Sequence, residues 1–176
     1  MLDIVITNRR LCKGDFLYTI EKALIRKPYA LILREKDLPP DKYIALSREV
    51  NALCEAHNVL FIPHSHPVPG TPRLHVPFHL ASEETARKYS LSVSVHSLEE
   101  ARAAQALGAS LLIAGHVFPT RSKPGLPPRG LDFLREICAN VSIPVFAIGG
   151  VTGQNAQSCM DAGAAGICRM SYWMEH

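Results

Sequence analysis

The chain has 176 residues, of which 47% are hydrophobic and 20% are charged, and its formal net charge is +3. This size and composition are typical of one globular domain with its own core, so we predict a single domain over residues 1–176. The basic residues are interspersed with acidic ones, which predicts neither a nucleic-acid surface nor a membrane surface but is compatible with a small anionic substrate.

Short apolar, β-branched runs alternate with amphipathic stretches along the chain, a pattern that predicts βα units and a parallel sheet. The predicted strands cover residues 3–7, 30–34, 59–63, 74–77, 91–95, 111–115, 145–149 and 165–170. The predicted helices cover residues 16–26, 42–57, 98–107, 131–140 and 156–162. Ser82 and Ser97 are predicted helix N-caps, and Glu100 stands at capping-box spacing from Ser97.

Eight parallel strands predict an α/β fold of the (β/α)8 TIM barrel type, in which active-site groups lie at the carboxyl ends of the strands. We expect an abbreviated barrel, with a short third helical layer at residues 64–73 and the last helix missing after residue 170. Apolar surface around Tyr172 and Trp173 would then be exposed, and a second subunit in a homo-oligomer would cover it. The alternative, an open doubly wound sheet, lacks the Gly-x-Gly-x-x-Gly turn after the first strand.

The cysteines and the N-terminal residues indicate the cellular location of the protein. The five cysteines are far apart and show no Cys-x-x-Cys spacing, which favours reduced thiols. The first residues lack the features of a signal peptide, and no stretch approaches about 18 apolar residues. We therefore expect a cytoplasmic protein.

A histidine stands where the sixth predicted strand opens into a basic, Gly/Pro-rich loop. The unperturbed pKa of histidine, about 6.5, makes both protonation states of His116 accessible near neutrality, as a group that takes and returns a proton requires. The alternative is a hydrogen-bonded histidine in the barrel wall. His64 and His66 could bind a metal ion, but two ligands without a nearby carboxylate make a weak site, and we predict none.

Basic residues after the second strand and in the loop after the sixth are candidates for binding an anion. Arg34 and Lys36 share a strand face and could converge on a substrate anion, or they could form a solvated charge cluster. Thr120 and Lys123 lie in a loop rich in hydrogen-bond donors that could close over the site, or that could be an ordinary exposed turn.

Residues after the last two predicted strands are candidates for binding a phosphate. Gly149 and Gly150 would let backbone N–H groups approach a phosphate, and Ser171 could add a hydroxyl. Phosphate sites after the seventh and eighth strands recur in these barrels.

Five segments, taken in order, resemble the thiamine phosphate synthase superfamily. They are Leu33–Leu38, Ser94–Ala101, Phe118–Lys123, Ile143–Gly150 and Asp161–Ala164. The resemblance implies a barrel that acts on thiamine precursors. The superfamily contains a magnesium-dependent transferase, which joins a pyrimidine pyrophosphate to a thiazole phosphate, and a thiazole tautomerase.

The departures from the transferase pattern favour the second activity. The transferase typically carries Ile-Asn-Asp after its third strand, whose Asp binds magnesium, and a second magnesium carboxylate in a Gly-Gln-Glu-Asp stretch after its fourth. This chain has Ile62-Pro63-His64 and Pro77-Phe78-His79-Leu80 instead. Ile32 also replaces a glutamine that contacts the pyrimidine. The stretch Gly115–Phe118, Gly-His-Val-Phe, is similar to the tautomerase, whose catalytic histidine lies there.

The sequence therefore predicts an isomerase without cofactor, a thiazole tautomerase that aromatises a 2-carboxy-thiazole phosphate tautomer. His116 would move the proton, while Arg34 and Lys36 would bind the carboxylate. A magnesium-dependent thiamine phosphate synthase and a non-catalytic protein that binds thiazole or thiamine phosphates are the alternatives.

Overall fold

The computed structural model describes residues 1–175 and contains one sheet of eight parallel strands. The strands are β1 (Leu2–Ile6), β2 (Ala30–Leu33), β3 (Leu60–Pro63), β4 (Arg73–Pro77), β5 (Ser90–Val95), β6 (Leu111–Gly115), β7 (Val145–Ile148) and β8 (Gly166–Arg169). Their order in the sheet is β3-β2-β1-β8-β7-β6-β5-β4. Each strand lies within two residues of its predicted bounds, because β-branched and apolar runs flanked by turn residues mark buried parallel strands well.

Seven α-helices connect or follow the strands. They are α1 (Phe16–Ile25), α2 (Pro40–His57), α3 (Glu83–Lys88), α4 (Leu98–Ala106), α5 (Gly130–Asn140), α6 (Ala156–Asp161) and α7 (Ser171–Met174), with 3-10 turns at Arg9–Leu11 and Phe78–Leu80. The side chains of Ser82 and Ser97 accept hydrogen bonds from the backbone N–H groups of Thr85 and Glu100, which confirms both as N-caps. Among the described residues, no helix is long and apolar enough to cross a membrane.

The barrel closes between β3 and β4 through a single parallel bridge that joins His64 and His75. The backbone N–H of Ser65 donates to the carbonyl of His75 at 2.7 Å, which holds the two strands together at this point. The Pro/Gly content predicted a short third helical layer, and residues 64–72, between β3 and β4, contain no helix at all. The fold is the abbreviated TIM barrel that we expected.

Side-chain alternation along the strands fills the barrel interior with apolar residues and places polar residues at the carboxyl ends of the strands. The interior cluster consists of Ile4, Ile6, Ala30, Ile32, Ile62, Leu111, Ile113, Phe146 and Cys168. Because every second residue of a strand faces the same side, Arg34 follows Ile32 on the inner face, and His64 follows Ile62. The strand pattern therefore delivers cationic and titratable groups to the carboxyl ends of the strands, which we call the mouth.

The C-terminal segment differs from our expectation. After β8 the chain forms the one-turn helix α7, whose Trp173 is only 7% exposed. Trp173 and Met174 pack in the same cluster as Ile20 and Leu24 of α1, so they fill much of the space of a full last helix. The prediction of an exposed Trp173 surface is therefore wrong. A homo-oligomer stays a prediction, but the burial of Trp173 removes the exposed apolar surface on which it was based.

Candidate active site

His116 is buried directly after β6, with 8% of its surface exposed. Its ring Nε2 lies 3.4 Å from the carbonyl oxygen of Leu126, in the loop that connects β6 to α5. The backbone carbonyl of His116 accepts a hydrogen bond from the N–H of Arg129 at 3.0 Å. The 116–129 loop therefore folds back on the histidine and covers most of its surface, and within residues 1–175 no hydrogen bond occupies its second ring nitrogen.

The diglycine after β7 is shaped by its contact with the segment that carries His116. Both glycines have positive φ angles, +96° at Gly149 and +64° at Gly150, and residues other than glycine rarely adopt this backbone conformation. A Cβ atom at Gly150 would lie 2.3 Å from the carbonyl oxygen of Pro119. Close packing against residues 116–119 thus accounts for both glycines, and their use as phosphate ligands stays a prediction.

Cations gather at one side of the mouth. Arg34 is half-buried after β2, and burial lowers the pKa of its guanidinium. Partial burial and the nearby positive charges of Arg34 and Lys123 lower the pKa of Lys36. Within residues 1–175, none of these three side chains forms an ion pair. Because clustered cations without carboxylate partners repel one another, this side of the mouth favours an anionic ligand.

Glu35, which the sequence analysis did not single out as functional, organises the adjoining loops. Its carboxylate accepts a hydrogen bond from the Thr7 hydroxyl at 2.6 Å and contacts the backbone N–H of Arg9 at 3.1 Å. The Thr7 hydroxyl oxygen in turn accepts from the backbone N–H of Arg34 at 2.9 Å. This chain of hydrogen bonds fixes the backbone from which Arg34 projects. Glu35 stands in a run of charged residues, which is typical of a solvated loop. Its role becomes visible only through its contact with Thr7, which lies on a different strand end.

A buried histidine pair lies inside the barrel below the mouth. The rings of His64 and His75 are 5.4 Å apart, and the two ring nitrogens of His75 lie 2.9 Å and 2.8 Å from the hydroxyls of Ser92 and Ser94. Burial, with the positive charges of Arg34 and Lys36, lowers the pKa of His64 to about 4. Burial lowers the pKa of His75 well below its usual range. Both rings are therefore neutral near pH 7.

His96 follows β5 at the mouth and pairs with a carboxylate. Its ring Nδ1 lies 3.4 Å from Oε2 of Glu100, and the same oxygen accepts the backbone N–H of His96 at 2.7 Å. Burial lowers the pKa of His96 against the opposing effect of Glu100, and the charges of Lys123 and Arg129 lower it further. The capping-box carboxylate thus reaches the histidine rather than the N–H of Ser97.

The other predicted site residues lie at the edges of the mouth. The backbone carbonyl of Thr120 accepts a hydrogen bond from the N–H of Lys123 at 3.1 Å, so this part of the loop is a turn. Lys123 is exposed, yet its charge acts on both Lys36 and His96, so the loop lies near both sides of the mouth. Ser171 begins α7 with an exposed side chain. Nothing in the described residues joins its hydroxyl to the diglycine.

The donor set at the mouth does not match a magnesium site. Among residues 1–175, no group of three or more His, Cys, Asp or Glu side chains is arranged to hold a metal ion. His64 stands after β3 and contacts the Ser65 hydroxyl at 2.9 Å, and His79 stands beyond β4. Magnesium requires oxygen ligands, which neither histidine supplies. The carboxylates of Glu35 and Glu100 are already bound to Thr7 and His96.

Two grooves lie away from the mouth. One, of about 260 Å³, runs between α3 and α4. The other, of about 430 Å³, opens beside the N-terminal end of β3, next to the segment that joins β3 to β4 without a helix. Neither groove includes a residue of the mouth, so both grooves are separate from His116 and the cations.

Comparison with known proteins identifies relatives over nearly the full chain. The model of the family described as thiamine monophosphate synthase matches residues 4–67 and 73–172. A putative thiamine-phosphate synthase 2 of Aquifex aeolicus is 32% identical over 178 residues, covering 97% of this chain and 96% of that protein. The thiamine-phosphate synthase of Pyrococcus abyssi is 34% identical over 177 residues, covering 95% and 84%. The solved structure of a thiamine phosphate pyrophosphorylase from Pyrococcus furiosus superposes with a TM-score of 0.87 at 30% identity, covering 99% and 88%.

Proposed function

Because this chain belongs to the thiamine monophosphate synthase family, we propose that it is an enzyme of thiamine biosynthesis, and specifically a thiazole tautomerase that acts on a 2-carboxy-thiazole phosphate. One observation carries the specific assignment. A buried histidine follows β6, at a mouth lined by cations, while histidines rather than carboxylates follow β3 and β4. This arrangement suits proton transfer on an anionic substrate better than it suits magnesium-dependent pyrophosphate displacement.

The proposed reaction moves one proton and leaves the atoms of the substrate otherwise in place. The ring carbon that bears the carboxylate loses its proton, the electron pair enters the ring, and the exocyclic double bond gains a proton at its outer carbon. The thiazole ring thereby becomes aromatic. His116 is the candidate for this transfer, because it is buried next to the mouth and has a ring nitrogen that does not face Leu126.

The cationic side of the mouth supplies the electrostatic part of the mechanism. Arg34 and Lys36 would bind the substrate carboxylate and stabilise the negative charge that develops when the ring carbon loses its proton. The partial burial of Arg34 strengthens this interaction, because water screens it less, whereas Lys36 is exposed and its charge is screened more strongly. Gly149, Gly150 and Ser171 would bind the phosphate, and the loop through Thr120 and Lys123 would cover the bound substrate.

Thiamine-phosphate synthase is the second candidate, and the names of the relatives favour it. Several proteins of that name are 28–36% identical to this chain. Against it stands the donor set, since the ends of β3 and β4 offer His64 and His79 where a magnesium-dependent enzyme needs carboxylates.

An assay that offers both substrate sets separates the two candidates. The purified protein would be incubated with the carboxy-thiazole phosphate tautomer, or with thiazole phosphate and pyrimidine pyrophosphate, each with magnesium or with excess chelator. Aromatisation that persists in chelator, observed by proton NMR, supports the tautomerase. Magnesium-dependent formation of thiamine phosphate without tautomerisation supports the synthase.

A further inference from the structure

A histidine other than His116 has the geometry of a proton-transfer group at the same mouth. His96 follows β5, and β5 pairs with β6 in a register that places Val95 opposite Ala114. The next residues along these strands are His96 and Gly115, so His96 stands beside the peptide that leads to His116. Lys123 and Arg129, from the loop that covers His116, act electrostatically on His96.

The carboxylate of Glu100 orients His96. One oxygen of Glu100 lies 3.4 Å from ring Nδ1 and also accepts the backbone N–H of His96 at 2.7 Å. A proton on Nδ1 can face this carboxylate, which leaves the lone pair on Nε2 to accept another proton. The position of Glu100 one turn into α4, with Ser97 as the N-cap, holds the carboxylate in place. A carboxylate that only capped the helix would have no need of the ring contact.

We infer that the His96–Glu100 pair is a second proton-transfer group of the proposed tautomerase, with His96 as a catalytic base and Glu100 as its positioning residue. This inference rests on the proposed function, and it assigns the removal of the proton to His96 and the donation of a proton to His116. Nε2 of His96 accepts the proton from the ring carbon, and the C–H electron pair enters the ring. Protonated His116 gives its proton to the exocyclic carbon. Exchange with water then removes the proton from His96 and returns one to His116, so the proton count balances.

The carboxylate of Glu100 gives His96 surroundings that differ from those of His116. Once His96 has accepted a proton, its imidazolium faces Glu100, which stabilises the positive charge. His116 has no carboxylate at its ring within the described residues. The ring of His96 therefore has a carboxylate beside it that can stabilise its charged form, which the ring of His116 lacks.

Steady-state kinetics of His96 and Glu100 variants test the inference. We expect His96→Gln to lower kcat by roughly a hundredfold or more while KM stays within about threefold, because the base is lost but the cations that bind substrate remain. Glu100→Gln keeps an oxygen that can accept the backbone N–H of His96, and we expect it to lower kcat by roughly tenfold. Glu99→Gln, an exposed carboxylate on the same turn of α4, is the matched control and should retain the wild-type kcat.

Chemical rescue distinguishes a catalytic role from a structural one. We expect imidazole to restore much of the activity of His96→Ala, since the ring is part-exposed and the space it leaves is open to solvent. A wild-type kcat in both His96 variants, or an inactive His96→Ala that imidazole does not rescue, would overturn the inference while leaving the tautomerase intact. If the wild-type protein itself shows no tautomerisation, the proposed function fails, and this inference fails with it.

Discussion

Gly149 packs against His116 so closely that a methyl group on its Cα would lie 2.2 Å from the Cβ atom of the histidine. The contact links the end of β7 to the end of β6, because the N–H of Phe118 also donates to the carbonyl of Gly149 at 3.0 Å. The position of the proposed proton-transfer residue therefore depends on a neighbouring glycine that touches no ring nitrogen.

Substitution of this glycine should damage both stability and activity. Gly149→Ala forces a Cβ into the histidine and also strains a backbone with φ of +96°, so we expect a loss of about 2 to 4 kcal/mol in the free energy of unfolding. Urea denaturation measures the loss. Gly153→Ala is the control, because nothing lies within 4 Å of its Cβ position. Equal stability of the two variants would show that the 116–119 segment yields without cost.

Removal of the Glu35 carboxylate should weaken the β1 and β2 loops. Glu35→Ala leaves the Thr7 hydroxyl and the Arg9 N–H without their acceptor in a buried site, and we expect a loss of about 2 to 3 kcal/mol in unfolding free energy. Asp37→Ala removes the partner of Arg9 and Arg10 at the surface and should cost far less. An effect of Asp37→Ala as large as that of Glu35→Ala would refute the organising role of Glu35.

Loss of the guanidinium at Arg34 should weaken substrate binding. Arg34→Met keeps much of the apolar stem but removes the charge, and we expect KM for the carboxy-thiazole phosphate to rise by roughly 10- to 100-fold. Arg87→Met, at an exposed residue of α3, is the control and should leave KM unchanged. A KM for Arg34→Met equal to that of the control would remove this residue from the site.

The buried histidines predict how stability depends on pH. The pKa of folded His64, about 4, lies below the unfolded value of about 6.5, so the unfolded chain binds the proton first as the pH falls. The contribution of His64 to stability is fully present above pH 6.5 and decreases by about 3 kcal/mol toward pH 4. His64→Gln should flatten this part of the curve in urea titrations. Parallel curves for wild type and His64→Gln would contradict the depressed pKa.

Local sequence signals predicted the fold well because they depend on local physics. Runs such as Leu111–Gly115 mark buried strands, and Ser97 with Glu100 marks a helix start. The burial of Trp173 was not predictable in this way, since a last segment of six residues is too short to form a full helix over α1. Its packing depends on where the first helix lies in space rather than on any local pattern.

The candidate site was predictable residue by residue but not in its contacts. Arg34 and His116 were predictable from their positions at the carboxyl ends of β2 and β6. Alternation determines which residues face the barrel interior, and barrel enzymes have their active sites at the carboxyl ends of the strands. The His64–His75 contact and the pairing of Glu35 with Thr7 join distant parts of the chain. Neither has a signature in sequence spacing, because each arises only when the barrel closes.

The most direct test of the proposed tautomerase is the tautomerisation rate of His116→Asn, followed by proton NMR with the carboxy-thiazole phosphate tautomer in excess chelator. Asparagine keeps a polar side chain of similar size but cannot transfer a proton, so we expect a rate roughly a hundred to ten thousand times lower than that of the wild-type protein. A His116→Asn variant that keeps most of the wild-type rate would contradict the assignment of His116 as the proton-transfer residue.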